Sequence, residues 1–284
     1  MSTKFKHSGN LGDIIFSLPT IIALGGGILY IGGGKGWLMR PMSSAMIEQM
    51  IELLKGQPYL ADVLPYQNET VDYDLDKFRD KHGPGSDVHL AWRHLDSFGV
   101  KYDLSLPWLE GIEPLYVNDI IIQNGFRSRD IPLNWRVLKA YEDKCVFVGF
   151  KNEYRTFRRK TGLNIRFHQI KNIRELARVI KGSKLFIGNQ SLGFALAEAL
   201  KHPRVLEVSY QESNVMPQSY NGHILLTTKL INYYLKTKRT YSPKKRINLL
   251  TRKRHYLIRK HLKALLYDRS HSFHFAWNRS PFLV

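Results

Sequence analysis

The chain has 284 residues, 43% of them apolar and 12% aromatic, which excludes a disordered polyelectrolyte and leaves enough apolar mass for one large domain or two ordinary ones. A single cysteine, Cys145, excludes an internal disulfide and fits a reducing compartment. The formal net charge is +19. It is uneven: residues 236–284 hold 14 Lys and Arg against one Asp. A tail of that kind points to a polyanionic partner, either nucleic acid or an anionic membrane or glycolipid.

The first element is a short strand, "TKFKH", followed by the turn "SGNLGD" and an apolar helix, "DIIFSLPTIIAL". From Ile14 to Gly34 no side chain is charged, which imitates a signal peptide or a membrane span. Pro19 and the triplet Gly25-Gly26-Gly27 divide the run, so helix, turn and buried strand ("ILYIGG") is the expected order. "SSAMIEQMIELLKGQ" reads as a capped helix stopped by Gly56, and strands are expected near "ADVLPY" and "PLYVNDIII". Between those two strands, Asp72 to Trp108 reads as a loop-rich region carrying Trp92, Arg93, Trp108 and His82, His89 and His94, without zinc-site spacing.

The pattern restarts after "NWRVLKAYEDK". "CVFVGF" is a buried strand with Cys145 as a strand thiol, and "KNEYRTFRRK" is a strongly basic loop. "IRELARVIKGS", "KLFIG", "LGFALAEALKH", "RVLEVS", "HILLT" and "TKLINYYLKTK" then alternate helix and strand. Such alternation implies parallel sheets with helices on both faces. A boundary near residues 134–144 gives an N-terminal domain over 1–140, a C-terminal domain over 141–235 and a basic helical extension over 236–284. Ligands are expected in the cleft at the carboxyl ends of the strands.

"HSGNLGD" lacks the G-x-G-x-x-G dinucleotide fingerprint, and "GGGKG" at 32–36 lacks the spacing of a phosphate-binding P-loop. Gly9 and Gly12 still permit a tight strand-to-helix turn, with Asp13 in the first helical turn. There Asp13 either stabilises the helix end or accepts a proton. In "LFIGNQSLGFALAEALKHPRVLEV", Asn189, Gln190 and Ser191 end a strand. Ser191 can cap the next helix, and the N–H groups of Leu192 and Gly193 can receive a diphosphate.

Gly12-Asp13 followed by Pro19 resembles the G-D-x5-P turn of heptosyltransferase-type GT-B glycosyltransferases. "GNQSLGFALAEALKHP" is similar to that family's donor motif, with Asn189, Ser191, Ala197, Ala199 and Pro203 on matching positions. Gln190, Leu192, Gly193 and Ala195 depart from it, which leaves the sugar and the base open. The resemblance implies a GT-B fold, two Rossmann-like domains facing across a cleft, and inverting transfer from a nucleotide-diphosphate sugar. It makes Asp13 the candidate general base. Gly12, Asn189, Gln190, Ser191, Leu192 and Gly193 become candidates for donor binding, with Lys151 or Arg155 meeting the diphosphate. With protein cations present, neither a cofactor nor a metal is required. Trp92, Arg93 and His94 are acceptor-side candidates.

Lys244, Lys245, Arg246, Arg252, Lys253, Arg254, Arg259 and Lys260, interleaved with Tyr, Leu and Ile, are candidates for holding a polyanion. The family implies a lipopolysaccharide-core-like acceptor, met by a cytoplasmic protein peripheral to the inner membrane face. A DNA-modifying, phage-type glycosyltransferase acting on a hydroxylated base and a non-catalytic binding protein of the same fold remain the alternatives.

Overall fold

The computed structural model describes residues 2–33, 42–82, 88–126, 133–209 and 214–236. All of them lie within one compact unit, Met1–Thr240. The eight basic tail candidates, Lys244 to Lys260, lie outside the described residues.

Two parallel sheets organise the unit. The first has the order β3-β2-β1-β4, from β1 (Lys4–His7), β2 (Gly27–Ile31), β3 (Leu60–Pro65) and β4 (Tyr73–Asp74). Helix α1 (Leu11–Ala23) links β1 to β2, and α2 (Ser44–Leu54) precedes β3. The charge-free run is thus α1, a glycine turn and β2. Among the described residues no helix is long and apolar enough to cross a membrane. Two short helices, α3 (Phe78–Lys81) and α4 (Leu90–Ser97), fill the region read from the sequence as loop-rich.

The second sheet has the order β10-β9-β8-β5-β6-β7. Its strands are β5 (Ile120–Gln123), β6 (Cys145–Phe147), β7 (Arg166–Phe167), β8 (Leu185–Asn189), β9 (Arg204–Glu207) and β10 (Gly222–His223). Helices α5 (Lys151–Thr161), α6 (Ile173–Gly182), α7 (Leu192–Ala199) and α8 (Thr228–Lys236) complete it. The central strands are nearly continuous apolar runs because both faces are covered. Strand β5 hydrogen-bonds between β8 and β6, so "NDIII" belongs to this sheet although the sequence reading grouped it with the first half. The change of sheet therefore falls between β4 and β5.

The basic stretch "KNEYRTFRRK" is helix α5, not a loop. It has almost no apolar stripe, burying only Phe157, so periodicity gave no signal. Its ends fix it instead. Glu153 accepts the Phe150 N–H at 3.0 Å, and Gly162, at φ 67°, donates its N–H to the Arg158 carbonyl at 2.9 Å. "HILLT" yields only the two-residue β10, and "NWRVLKAYEDK" is a kinked 3-10 segment, Trp135–Lys144.

The sheets are joined through their helices. Helix α1 packs on α7 and α2 on α6, and one apolar core includes Phe5, Ile14 and Leu18 with Phe186, Phe194 and Leu196. The backbone adds ties across the junction: Trp108 N–H to the Ala199 carbonyl (3.0 Å) and Leu90 N–H to the Asn214 carbonyl (2.8 Å).

Candidate functional site

Packing α1 on α7 brings the starts of the two helices together. A Cβ placed on Gly12 would sit 3.9 Å from the Ala195 Cβ, ordinary van der Waals contact. Asp13, one residue on, occupies the first turn of α1, and Leu192 and Gly193 the first turn of α7. A carboxylate from the carboxyl end of β1 and a helix N-terminus from the carboxyl end of β8 thus share one end of the junction.

Asp13 is held from behind. Strand β4 lies beside β1, so the short helix that follows it delivers Arg79 to α1. Arg79 Nη2 donates to Asp13 Oδ2 at 2.7 Å. The guanidinium also lies 4.2 Å from the Phe78 ring centroid, with Nη1 4.0 Å from Asp76 Oδ1. Asp76 accepts the Ser8 N–H at 3.0 Å and pairs with Lys6 at 2.9 Å. Gly9 makes room for this convergence: a Cβ there would meet His7 Cε1 at 2.6 Å, Asp13 Oδ2 at 3.1 Å and Arg79 Nη2 at 3.2 Å. Gly9→Ala is therefore expected to displace the carboxylate and to destabilise the fold by about 1–3 kcal/mol, the usual range for overpacking, as read by denaturant unfolding.

His7 and His94 form the floor. Both are fully buried, with ring centroids 5.3 Å apart, and Phe78 stacks 3.9 Å from His94. His7 Nδ1 accepts the Gly9 N–H at 2.9 Å, which leaves the ring proton on Nε2. Among the described residues, His7 Nε2 and both His94 nitrogens have no hydrogen-bond partner. Burial pushes the pKa of His7 below its ordinary 6.5 and that of His94 well below it. The unfolded chain therefore binds protons that the native protein refuses, so stability is full above pH 6.5 and lost as pH falls below it. His94, the more strongly depressed of the two, is expected to contribute most to the stability lost between pH 7 and pH 5. His94→Leu, which also deletes two unsatisfied nitrogens, should flatten that slope in urea titrations at pH 5 and pH 7.

The facing wall differs in detail from the sequence expectation. Ser191 stands at the N-cap of α7, yet its side chain does not cap: the hydroxyl donates to Gln123 Oε1 at 3.1 Å. Gln123 lies so close over the first turn that a Cβ on Gly193 would strike its Oε1. Asn189 is 1% exposed and clasps the loop after β5, accepting the Gly125 N–H at 3.0 Å and donating to its carbonyl at 3.3 Å. Gln190 donates to Asn214 Oδ1 at 3.4 Å. Lys151 and Arg155 are exposed on α5, after the second strand of this sheet in chain order. Arg127 and Arg129, which follow the first strand, β5, in the sequence, lie outside the described residues.

Of the acceptor-side candidates, Trp92 is half-buried and donates from Nε1 to Gln218 Oε1 at 3.3 Å. Arg93 is buried, with Nε bonded to the Val88 carbonyl at 2.9 Å. His94 has no exposed surface and belongs to the histidine floor, so it is corrected from an acceptor contact to a core residue. The sequence reading missed Arg79 and Gln123. Neither lies in a motif, and only strand order brings Arg79 to Asp13 and Gln123 to α7.

No family model and no curated protein matches the sequence. Solved structures do. The ADP complex of E. coli heptosyltransferase WaaC superposes with a TM-score of 0.53 at 12% identity, over 83% of this chain and 99% of that one. The fold is that of the heptosyltransferase-type glycosyltransferases. A glycosyl transferase family 9 protein from Veillonella parvula shares this heptosyltransferase fold, with a TM-score of 0.50 at 13% identity, over 84% of this chain and 90% of that one.

Proposed function

We propose that the protein is an inverting, metal-independent glycosyltransferase that uses a nucleotide-diphosphate sugar and has Asp13 as its general base. The observation that supports this reading is the packing of α1 on α7, close enough that a Cβ built on Gly12 would lie 3.9 Å from the Ala195 Cβ, with Asp13 in the first turn of α1 and Leu192 and Gly193 in the first turn of α7. An acceptor hydroxyl would give its proton to Asp13 as its oxygen bonds to the anomeric carbon. The bond from that carbon to the diphosphate breaks, and its electron pair leaves on the diphosphate. The first-turn N–H groups of α7, with Lys151 or Arg155, would receive that charge.

The WaaC structures are described with ADP and with ADP-2-deoxy-2-fluoro heptose, so ADP-sugars are the first donors to try. The basic extension supports an acceptor on an anionic surface, a cell-surface glycan or lipid-linked sugar at the cytoplasmic membrane face. A hydroxylated base in DNA is the competing acceptor. Affinity for duplex DNA that persists near physiological salt would favour it. The deciding experiment is a panel of ADP-, UDP-, GDP- and CMP-sugars, with nucleotide release measured with and without EDTA. Turnover of at least one donor, unchanged by EDTA, is expected; no turnover with any donor would reduce the protein to a binding module.

A further inference from the structure

The Asp13 carboxylate is divided between two environments. Oδ2 is taken by Arg79 at 2.7 Å, whereas among the described residues nothing donates to Oδ1, and the side chain keeps 14% of its surface exposed. The guanidinium is itself confined, with its carbon 4.2 Å from the Phe78 ring centroid and Nη1 4.0 Å from Asp76 Oδ1. It reaches Asp13 through one nitrogen, and among the described residues its buried Nη1 has no hydrogen-bond partner. The carboxylate therefore cannot turn about its Cβ–Cγ bond without breaking a charge-assisted hydrogen bond, the stronger class of such bonds.

We infer that Arg79 is a positioning residue for Asp13: it pins Oδ2 and thereby presents Oδ1 to the reacting hydroxyl. This rests on Asp13 being the general base. The chemistry demands such a clamp, because a base displaced by about 1 Å can lose about a hundredfold in rate. Arg79 reaches Asp13 from α3, which follows β4 and belongs to neither of the two helices, α1 and α7, that meet at the junction. A lysine would supply charge but not the planar face that lies on Phe78.

The test is a double-mutant cycle on the full chain, read as nucleotide release from whichever sugar donor the panel identifies. Arg79→Met keeps the aliphatic stem over Phe78 and removes the grip. It is expected to lower kcat by about 10–100-fold with the donor KM within about twofold, and Arg79→Lys to recover part of the loss. In the Asp13→Asn background, Arg79→Met should lower kcat no further, because its whole effect passes through Asp13. An equal further loss in that background, or a neutral Arg79→Met in an enzyme that Asp13→Asn disables, overturns the inference and leaves the general base standing. Wild-type turnover unaffected by Asp13→Asn overturns both. Should Arg79→Met fail to fold, the Arg79→Lys pair completes the same cycle, with kcat loss in the Asp13 background and none in the Asn background as the expected result.

Discussion

Asp13→Asn is expected to reduce glycosyl transfer by about 10²–10⁴-fold, the usual contribution of a positioned proton acceptor. Asn preserves the volume and the place in the first turn of α1, so the packing of Gly12 against Ala195 should survive. It removes the carboxylate proposed to take up the acceptor's proton. Binding of the nucleotide diphosphate should persist within about threefold, since α7 and its neighbours, not Asp13, would carry that charge. Turnover and calorimetric affinity measured on the same preparation separate the two effects. If transfer continues at the wild-type rate, the carboxylate is only a helix-end charge, worth about 0.3–1 kcal/mol, and the ion pair with Arg79 is structural.

How much of this was legible in the sequence depends on how far each signal travels. Helix α2 announced itself because its apolar residues repeat at helical spacing, a serine precedes it and Gly56 follows it; α6 and α7 were legible as apolar stretches ending near Gly182 and Pro203. The Gly12-Asp13 turn was legible for a similar local reason. Helix α5 was not, since charged residues cover it and its helicity comes from its ends. The grouping of β5 was hidden for another reason. "NDIII" looks the same whichever sheet it enters, and the segment 135–144 that resembled a boundary is a connection between β5 and β6 within one sheet. Arg79 sits in "DKFRDK", indistinguishable by composition from a solvated charge run. Its role follows from β4 pairing with β1, a contact between residues 68 positions apart that no periodicity encodes. The acceptor side was misread where His94 looked like a polar loop residue. Helix α4 turns it inward, against Phe78 and His7.

Glu198→Gln is expected to lower stability by about 3–5 kcal/mol, the cost of leaving a buried charge without its partner. Glu198 has no solvent exposure and meets two cations, Lys201 and Arg204, that are buried as completely. Burial works to raise its carboxyl pKa, but the pull of Arg204 and Lys201 wins and holds it at about 2. Burial likewise drives the Lys201 ammonium down to about 7, against the attraction of Glu198. The glutamine would keep the shape and the Gln218 N–H contact at 3.2 Å, while two guests of the core lost their counter-charge. Arg204 retains the His202 carbonyl and Asn221 as acceptors. Lys201 has less to fall back on, chiefly the face of Trp108 at 4.0 Å. Trp108 belongs to the segment that ties the first sheet to Ala199, so the damage should reach the junction that aligns Asp13 with α7. For a unit of about 240 residues, a loss of this size lowers the melting temperature by roughly 10 °C. Turnover at low temperature should fall as well if the Trp108 tie to Ala199 is disturbed. A Glu198→Gln protein with wild-type melting temperature and activity would mean that water reaches the trio and that other contacts weld the two sheets together.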